Sequence, residues 1–223
     1  MTTIKAIVWD MDGLLIDSEP VWNDARKRMA KANGVDWTQD DHFNVMGVST
    51  KEWTDYMIKR IGLTMPPADV ETAVINEMIA MYQEGIPFRP FAVDKIKWAA
   101  SKYPSCIASG SPRQLIDIVS NDPRVAPFMQ FTIAADEVGK GKPDPSVYLE
   151  AAQRLGIPPE NCICLEDSPN GVLSGYRAGM KVINIPDPEM PLTAEQAKFA
   201  HLVLNHLGEF NEEAIAALEQ SLE

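Results

Sequence analysis

The stretch Ile4-Lys5-Ala6-Ile7-Val8-Trp9-Asp10-Met11-Asp12-Gly13, continued by Leu14-Leu15-Ile16-Asp17-Ser18-Glu19, decides how the chain is read. An apolar run over residues 4–9 ends in two aspartates separated by one residue, and a glycine follows at once. The run has the length and make-up of a buried strand. Side chains alternate across a strand, so Asp10 and Asp12 return to one side near its carboxyl end. In open α/β sheets that edge carries the ligand site. Two carboxylates so placed can share a cation, and one can attack while the other moves protons. Taken alone, the same residues also fit a solvated acidic turn. The remainder of the chain has to decide.

Working outward, residues 17–87 show helical spacing and no convincing strand. Ser18 is placed to cap a helix whose first turn holds Glu19 and Pro20. Val21, Ala25, Met29 and Ala32 follow at helical intervals, and Asn33-Gly34 ends the segment. A second helix carries Trp53, Met57 and Ile61. A third begins after Pro66-Pro67, carries Val70, Val74, Met78 and Met81 or Tyr82, and stops at Gly85-Ile86-Pro87. From residue 88 the pattern alternates. Helices are predicted over 94–101, 112–119, 145–155, 169–178 and 212–222, and strands over 105–109, 131–135, 162–165, 182–185 and 201–204. Such alternation implies a parallel sheet with helices on both faces. The first strand must join that sheet, which makes the helical segment an insertion. The expected fold class is therefore α/β, a doubly wound, Rossmann-like parallel sheet formed by residues 1–16 and 88–223, with an α-helical domain inserted over 17–87.

Composition narrows the function. The 223 residues are 45% hydrophobic and 23% charged, an ordinary globular mixture, with a net charge of −12. That charge argues against nucleic acid or an anionic membrane as partner, since both require basic patches. The cysteines, Cys106, Cys162 and Cys164, lie in apolar strand-like runs without a disulfide or zinc spacing, as expected in a reducing compartment. No signal-peptide core or membrane-spanning run is evident, and a cytoplasmic location is expected. His42, His201 and His206 show no metal spacing.

Four polar clusters follow four of the strands, and a parallel sheet gathers them at one edge. The first is Asp10/Asp12. The second, Ser109-Gly110-Ser111-Pro112, offers a hydroxyl and free N–H groups to an anion, with Ser111 as expected N-cap and Pro112 as first helical residue. The third, Gly139-Lys140-Gly141-Lys142-Pro143-Asp144-Pro145, holds lysines in a loop stiffened by glycine and proline; such lysines can neutralise a phosphate. The fourth, Glu166-Asp167-Ser168-Pro169-Asn170-Gly171, sends adjacent carboxylates out of a buried strand, which is costly unless they bind something. A hard cation such as Mg²⁺ takes oxygen ligands of this kind. Together the clusters supply the parts for phosphoryl transfer through an aspartyl-phosphate.

Asp10-Met11-Asp12-Gly13, Ser109, Lys142-Pro143-Asp144-Pro145 and Glu166-Asp167-Ser168-x-x-Gly171 resemble, in order and spacing, the four motifs of the haloacid dehalogenase superfamily. The likeness covers nearly the whole chain. It is greatest to the branch of sugar-phosphate phosphatases and β-phosphoglucomutases, and residues 10–20 are most similar to bacterial phosphatases of hexose phosphates such as 2-deoxyglucose 6-phosphate. The resemblance implies a Mg²⁺-dependent phosphatase acting on a small phosphorylated metabolite. It implies Asp10 as nucleophile and Asp12 as general acid and base. Ser109, the Gly110 backbone and Lys142 would hold the phosphoryl oxygens. Mg²⁺ would be held by Asp10, the Asp12 carbonyl and Asp167, with Glu166 direct or one step removed. The presence of Asp12 argues against a dehalogenase. The insertion would be a mobile cap that selects the leaving group, with Trp22 and Gly47 as specificity candidates, and the protein a monomer or weak dimer.

The chain departs from the family at several positions. Where the mutases carry a histidine, this chain has Trp22, and a cap arginine of theirs aligns with Thr50. Both departures favour hydrolysis over the alternative of a phosphomutase. Trp22 is read as packing the cap or stacking on a sugar. A non-enzymatic phospho-switch is the remaining alternative, disfavoured by the insertion and the complete serine and lysine set. Pro90-Phe91 replaces the Pro-Gly expected on return to the core. Lys142 is preferred over Lys140 because it directly precedes Pro-x-Pro.

Overall fold

The computed structural model describes residues 3–187 and 191–220. In chain order, β1 (Ala6–Trp9) is followed by the helices α1 (Glu19–Ala32), α2 (Gln39–Val45), α3 (Thr50–Ile61) and α4 (Pro67–Glu84). The alternating part then runs α5 (Ala92–Ala100), β2 (Ser105–Ser109), α6 (Arg113–Ser120), β3 (Thr132–Ala134), α7 (Ser146–Leu155), β4 (Cys162–Glu166), α8 (Pro169–Arg177), β5 (Lys181–Asn184), α9 (Ala194–Ala197), β6 (Leu202–Val203) and α10 (Glu212–Gln220). The described residues divide into two compact units, Ser18–Pro87 and the combination of Met1–Asp17 with Phe88–Glu223.

In the larger unit six strands form one parallel sheet in the order β3-β2-β1-β4-β5-β6. The doubly wound α/β class predicted above is the class observed. β1 is central, with Trp9 in register with Ile107 of β2 and Leu165 of β4. Both faces of the sheet are buried, which explains the continuous apolar runs. On one face Ala6, Val8, Cys106, Ala108, Cys162 and Cys164 pack against Val147, Tyr148, Ala151 and Val172 of α7 and α8. On the other, the Trp9 ring meets Phe210 edge-on at 5.6 Å, and Trp98 of α5 meets Phe210 at 5.3 Å. All three cysteines are free and buried. Burial pushes their thiols up, which leaves them as packing groups.

Local chemistry corrects three predictions. Ser18 occupies the N-cap position of α1 but makes no side-chain cap, because its backbone is already helical (φ −82°, ψ −26°) and a capping side chain needs an extended residue. α6 begins at Arg113: Pro112, not Ser111, takes the N-cap position, because its ψ of 141° lies outside the helical region. β4 continues through Glu166, so that carboxylate belongs to the strand rather than to the loop after it. The last predicted helix is described to Gln220, and its continuation over 221–222 lies outside the described residues.

The helical unit has one helix that periodicity missed. α2 is only seven residues long and is set by a capping box: the Thr38 hydroxyl accepts from the Asp41 N–H while Asp41 accepts from the Thr38 N–H. Asp41 is buried and also accepts from Tyr56 and from Arg60, both at 2.7 Å. Those donors hold its carboxyl well below the ordinary range despite burial, which by itself would raise it. Elsewhere in this unit the Arg26 guanidinium lies 5.2 Å from the Trp22 ring and 5.4 Å from the Trp53 ring, and the two indoles meet edge-on at 6.1 Å. Trp22 therefore packs within the unit while staying partly exposed. Gly47 is exposed, in the left-handed conformation (φ 70°) between α2 and α3.

Phe91 keeps the turn that a glycine would make freely. Its φ of 69° is the one positive value on a non-glycine residue among the described residues, and its ring stacks on His206 at 5.5 Å. The strain costs about 1 kcal/mol, and the stack offsets part of it.

Candidate active site

The strand order brings the polar clusters together. β1 lies between β2 and β4, so Asp10 emerges with Ser109 on one side and Glu166 on the other. Beyond β3 the chain makes a short 3₁₀ turn and returns Lys142 to the same edge. Asp10, Ser109, Glu166 and Asp167 are each buried.

Lys142 is the hub. Its ammonium donates to Asp10 Oδ1 at 2.5 Å, to Glu166 Oε1 at 2.6 Å and to the Ala108 carbonyl at 3.2 Å. Lys140, the competing lysine, is mostly exposed and pairs with Asp144 at 3.5 Å. Burial would lower the Lys142 ammonium, but Asp10 and Glu166 raise it above its ordinary range, so it stays charged. Burial also lifts the Asp10 carboxyl to about 8 against the pull of Lys142. Asp167 is raised well above the ordinary range by burial, then by Asp10 and Glu166.

The second aspartate is held separately. Gly13 takes the left-handed conformation (φ 74°), and its N–H donates to the Ile16 carbonyl at 2.9 Å, closing the turn that presents Asp12. The Ser109 hydroxyl donates to Asp12 Oδ2 at 3.1 Å and accepts from the Ser111 N–H at 3.0 Å. Asp12 Oδ1 is buried and has no hydrogen-bond partner among the described residues. Gly110 follows β2 directly and is exposed.

Oxygens of Asp10, Glu166 and Asp167 lie within 4.8 Å of one another. Three carboxylates thus crowd around one ammonium. Clustered carboxylates repel, and burial magnifies the repulsion unless a cation is shared. The oxygen-only donor set of Asp10, Glu166 and Asp167 fits a hard divalent cation. The walls leave no slack: a Cβ on Gly13 would stand 1.9 Å from Asp167 Oδ2, and one on Gly171 would stand 1.9 Å from the Glu166 carboxylate.

Two residues that the sequence did not single out complete the site. The Tyr148 hydroxyl donates to Glu166 Oε1. Asn184, at the end of β5, donates to the carbonyls of Glu166 at 3.0 Å and Asp167 at 3.4 Å, fixing the backbone that carries both carboxylates. Tyr148 reads in sequence as one more apolar helix position, and Asn184 as a strand end. Only Asn184 offers an early signal, as a polar residue closing the apolar pair Val182-Ile183.

Residues 4–179 match the sequence pattern of the family described as haloacid dehalogenase-like hydrolase. The chain belongs to that family. It is 31% identical over 191 residues to hexitol phosphatase B of Escherichia coli K12, an alignment covering 83% of this chain and 85% of that protein. It is 27% identical over 181 residues to the phosphorylated carbohydrates phosphatase of Thermotoga maritima, covering 81% and 84%. The crystal structure of CbbY from Rhodobacter sphaeroides in complex with phosphate superposes with a TM-score of 0.82, at 24% identity, over 96% of this chain and 100% of that one. That superposition supports the Rossmann-like core of this hydrolase. Among the described residues no helix is long and apolar enough to cross a membrane.

Proposed function

We propose that this hydrolase is a Mg²⁺-dependent phosphatase of small phosphorylated metabolites, with sugar phosphates as the substrate class, working through an aspartyl-phosphate. The observation that carries the reading is Asp10 held at 2.5 Å by a buried, charged Lys142 beside Asp167 and Glu166. Phosphoric monoester hydrolysis is also the activity in the names of the two relatives above. The Asp10 carboxylate attacks phosphorus, the bond to the leaving oxygen breaks, and Asp12 donates a proton to that oxygen. Asp12 then takes a proton from water as the water attacks the aspartyl-phosphate, which frees phosphate and restores Asp10. The Ser109 hydroxyl and the Gly110 N–H join Lys142 in holding the phosphoryl oxygens. Asp10, Asp167 and the Asp12 carbonyl would hold Mg²⁺, with Glu166 adjacent. When bound, the cation supplies charge neutralisation on the transferring phosphoryl group. The helical unit serves as the cap, with Trp22 and Gly47 among the residues that select the leaving group. The buried free thiols suit a reducing cytoplasm.

A panel of phosphorylated sugars and polyols incubated with Mg²⁺ is expected to release inorganic phosphate from at least one member, and chelation is expected to abolish release. Conversion of β-glucose 1-phosphate to glucose 6-phosphate without phosphate release would assign a mutase instead.

The raised carboxyls make cation binding pH-dependent. A carboxyl raised on folding stabilises the fold while protonated; that contribution is whole below the ordinary carboxylate range and lost as pH rises through the folded value, here about 8 for Asp10. A cation binds the ionised form and must displace the proton. The rise in melting temperature on adding saturating Mg²⁺ should therefore be larger near pH 8 than at about pH 5.5. A shift independent of pH would remove Asp10 and Asp167 as ligands.

A further inference from the structure

Tyr148 sits in the first turn of α7, fully buried. Its ring centroid is 5.0 Å from Lys142 Nζ, and its hydroxyl donates to the same Glu166 oxygen that Lys142 uses. An ammonium has three N–H donors, and all three of Lys142 are engaged. To hold a phosphoryl oxygen Lys142 must release one acceptor while keeping its place beside Asp10. The longest contact, to the Ala108 carbonyl, is the one most easily exchanged. Glu166 must not follow or capture the lysine as this happens. Among the described residues its Oε2 accepts only from Ser168, at 3.3 Å, which is a weak restraint. The tyrosine hydroxyl is the strong donor, besides the lysine itself, that fixes Oε1.

We propose that Tyr148 is a positioning residue for Lys142: its hydroxyl anchors Glu166 and draws on the oxygen that would otherwise claim the ammonium, while its ring supports the ammonium from below. The lysine is thereby shared with Asp10 and with the transferring phosphoryl group. This inference rests on the phosphatase reading above, in which Lys142 holds that group.

Tyr148→Phe keeps the ring and removes the hydroxyl. It is expected to lower kcat roughly tenfold and to leave KM within about twofold, because the loss falls on the transition state. The inhibition constant for orthovanadate, which adopts the five-coordinate shape of the transferring group, should rise by a similar factor, and that for inorganic phosphate should move less. In a Lys142→Arg background the further loss should shrink below about threefold, since both changes act on one contact. Tyr176→Phe, at a tyrosine 45% exposed, serves as the unaffected control.

A wild-type kcat in Tyr148→Phe overturns the inference, as does an equal loss in both backgrounds, which a purely structural tyrosine would give. If the variant does not fold, 3-fluorotyrosine at position 148 keeps the shape and alters only the hydroxyl's acidity. It must then change kcat with Lys142 present and not with Lys142→Arg, or the inference fails. Asp10→Asn, assayed alongside, separates the two readings. Turnover by that variant refutes the phosphatase mechanism, whereas its inactivity beside a fully active Tyr148→Phe refutes only the role of the tyrosine.

Discussion

Asp10→Asn is expected to fold normally and to lose phosphatase activity by about 10⁴-fold or more, since an amide cannot serve as the attacking group. The change is nearly isosteric. The amide oxygen can still accept from Lys142, so the buried contact seen at 2.5 Å survives in weakened form. Circular dichroism and melting should show little change, while the Mg²⁺-induced rise in melting temperature should shrink because one ligand has lost its charge. A chemical trap gives a second readout. Borohydride reduces an acyl-phosphate, so wild-type protein quenched during turnover should carry a homoserine at position 10, detected by peptide mass. Label on Asp12 instead, or near-normal hydrolysis by the asparagine variant, would transfer the nucleophile elsewhere and dismantle the proposed mechanism.

The second large effect is expected at Gly13. It combines a left-handed backbone, φ 74°, with a neighbour that leaves no room: an added Cβ would come within 1.9 Å of Asp167 Oδ2 and 2.7 Å of its Cγ. Gly13→Ala should therefore cost about 2–3 kcal/mol of stability, from strain and displacement together. It should also push Asp167 off its position and lower kcat/KM by roughly 100-fold or more. Gly34→Ala separates the two causes. Gly34 has the same φ of 74° but nothing within 4 Å of its Cβ position, so it reports strain alone, about 1 kcal/mol with activity retained. If Gly13→Ala behaves like Gly34→Ala, with Mg²⁺ binding intact, the close approach of Asp167 is not a requirement of the site.

Much of the core was legible because its signals are local. Asp10, Ser109 and Glu166 each end a buried strand, and β1, β2 and β4 are neighbours, so a parallel sheet has to bring them near one another. Lys142 was preferred over Lys140 on its proline context alone; the structure separates them by burial, Lys142 inside and Lys140 in solvent. Other features had no local signature. Seven residues of α2 are too few for a periodic pattern, and only the Thr38–Asp41 capping box marks them. Ser18 carries the residue type of a cap but not the backbone conformation of one. Tyr148 shares its helix face with Ala151, Ala152 and Leu155, and nothing in that pattern distinguishes a hydroxyl that reaches Glu166 from one that merely fills space.

By itself the sequence determined the fold class, through the change from helical to alternating period at residue 88, and it named the acids and the lysine, through their places after apolar runs. These are properties of short segments, governed by backbone geometry and by which side chains tolerate burial. Only the tertiary structure decided that Lys142 rests on Asp10 across 132 positions of chain, that Glu166 closes its strand against a tyrosine hydroxyl, and that Gly13 and Gly171 are pressed against carboxylates. Those contacts depend on strand register and side-chain packing between distant segments, to a fraction of an ångström, and no local pattern encodes a distance of that kind.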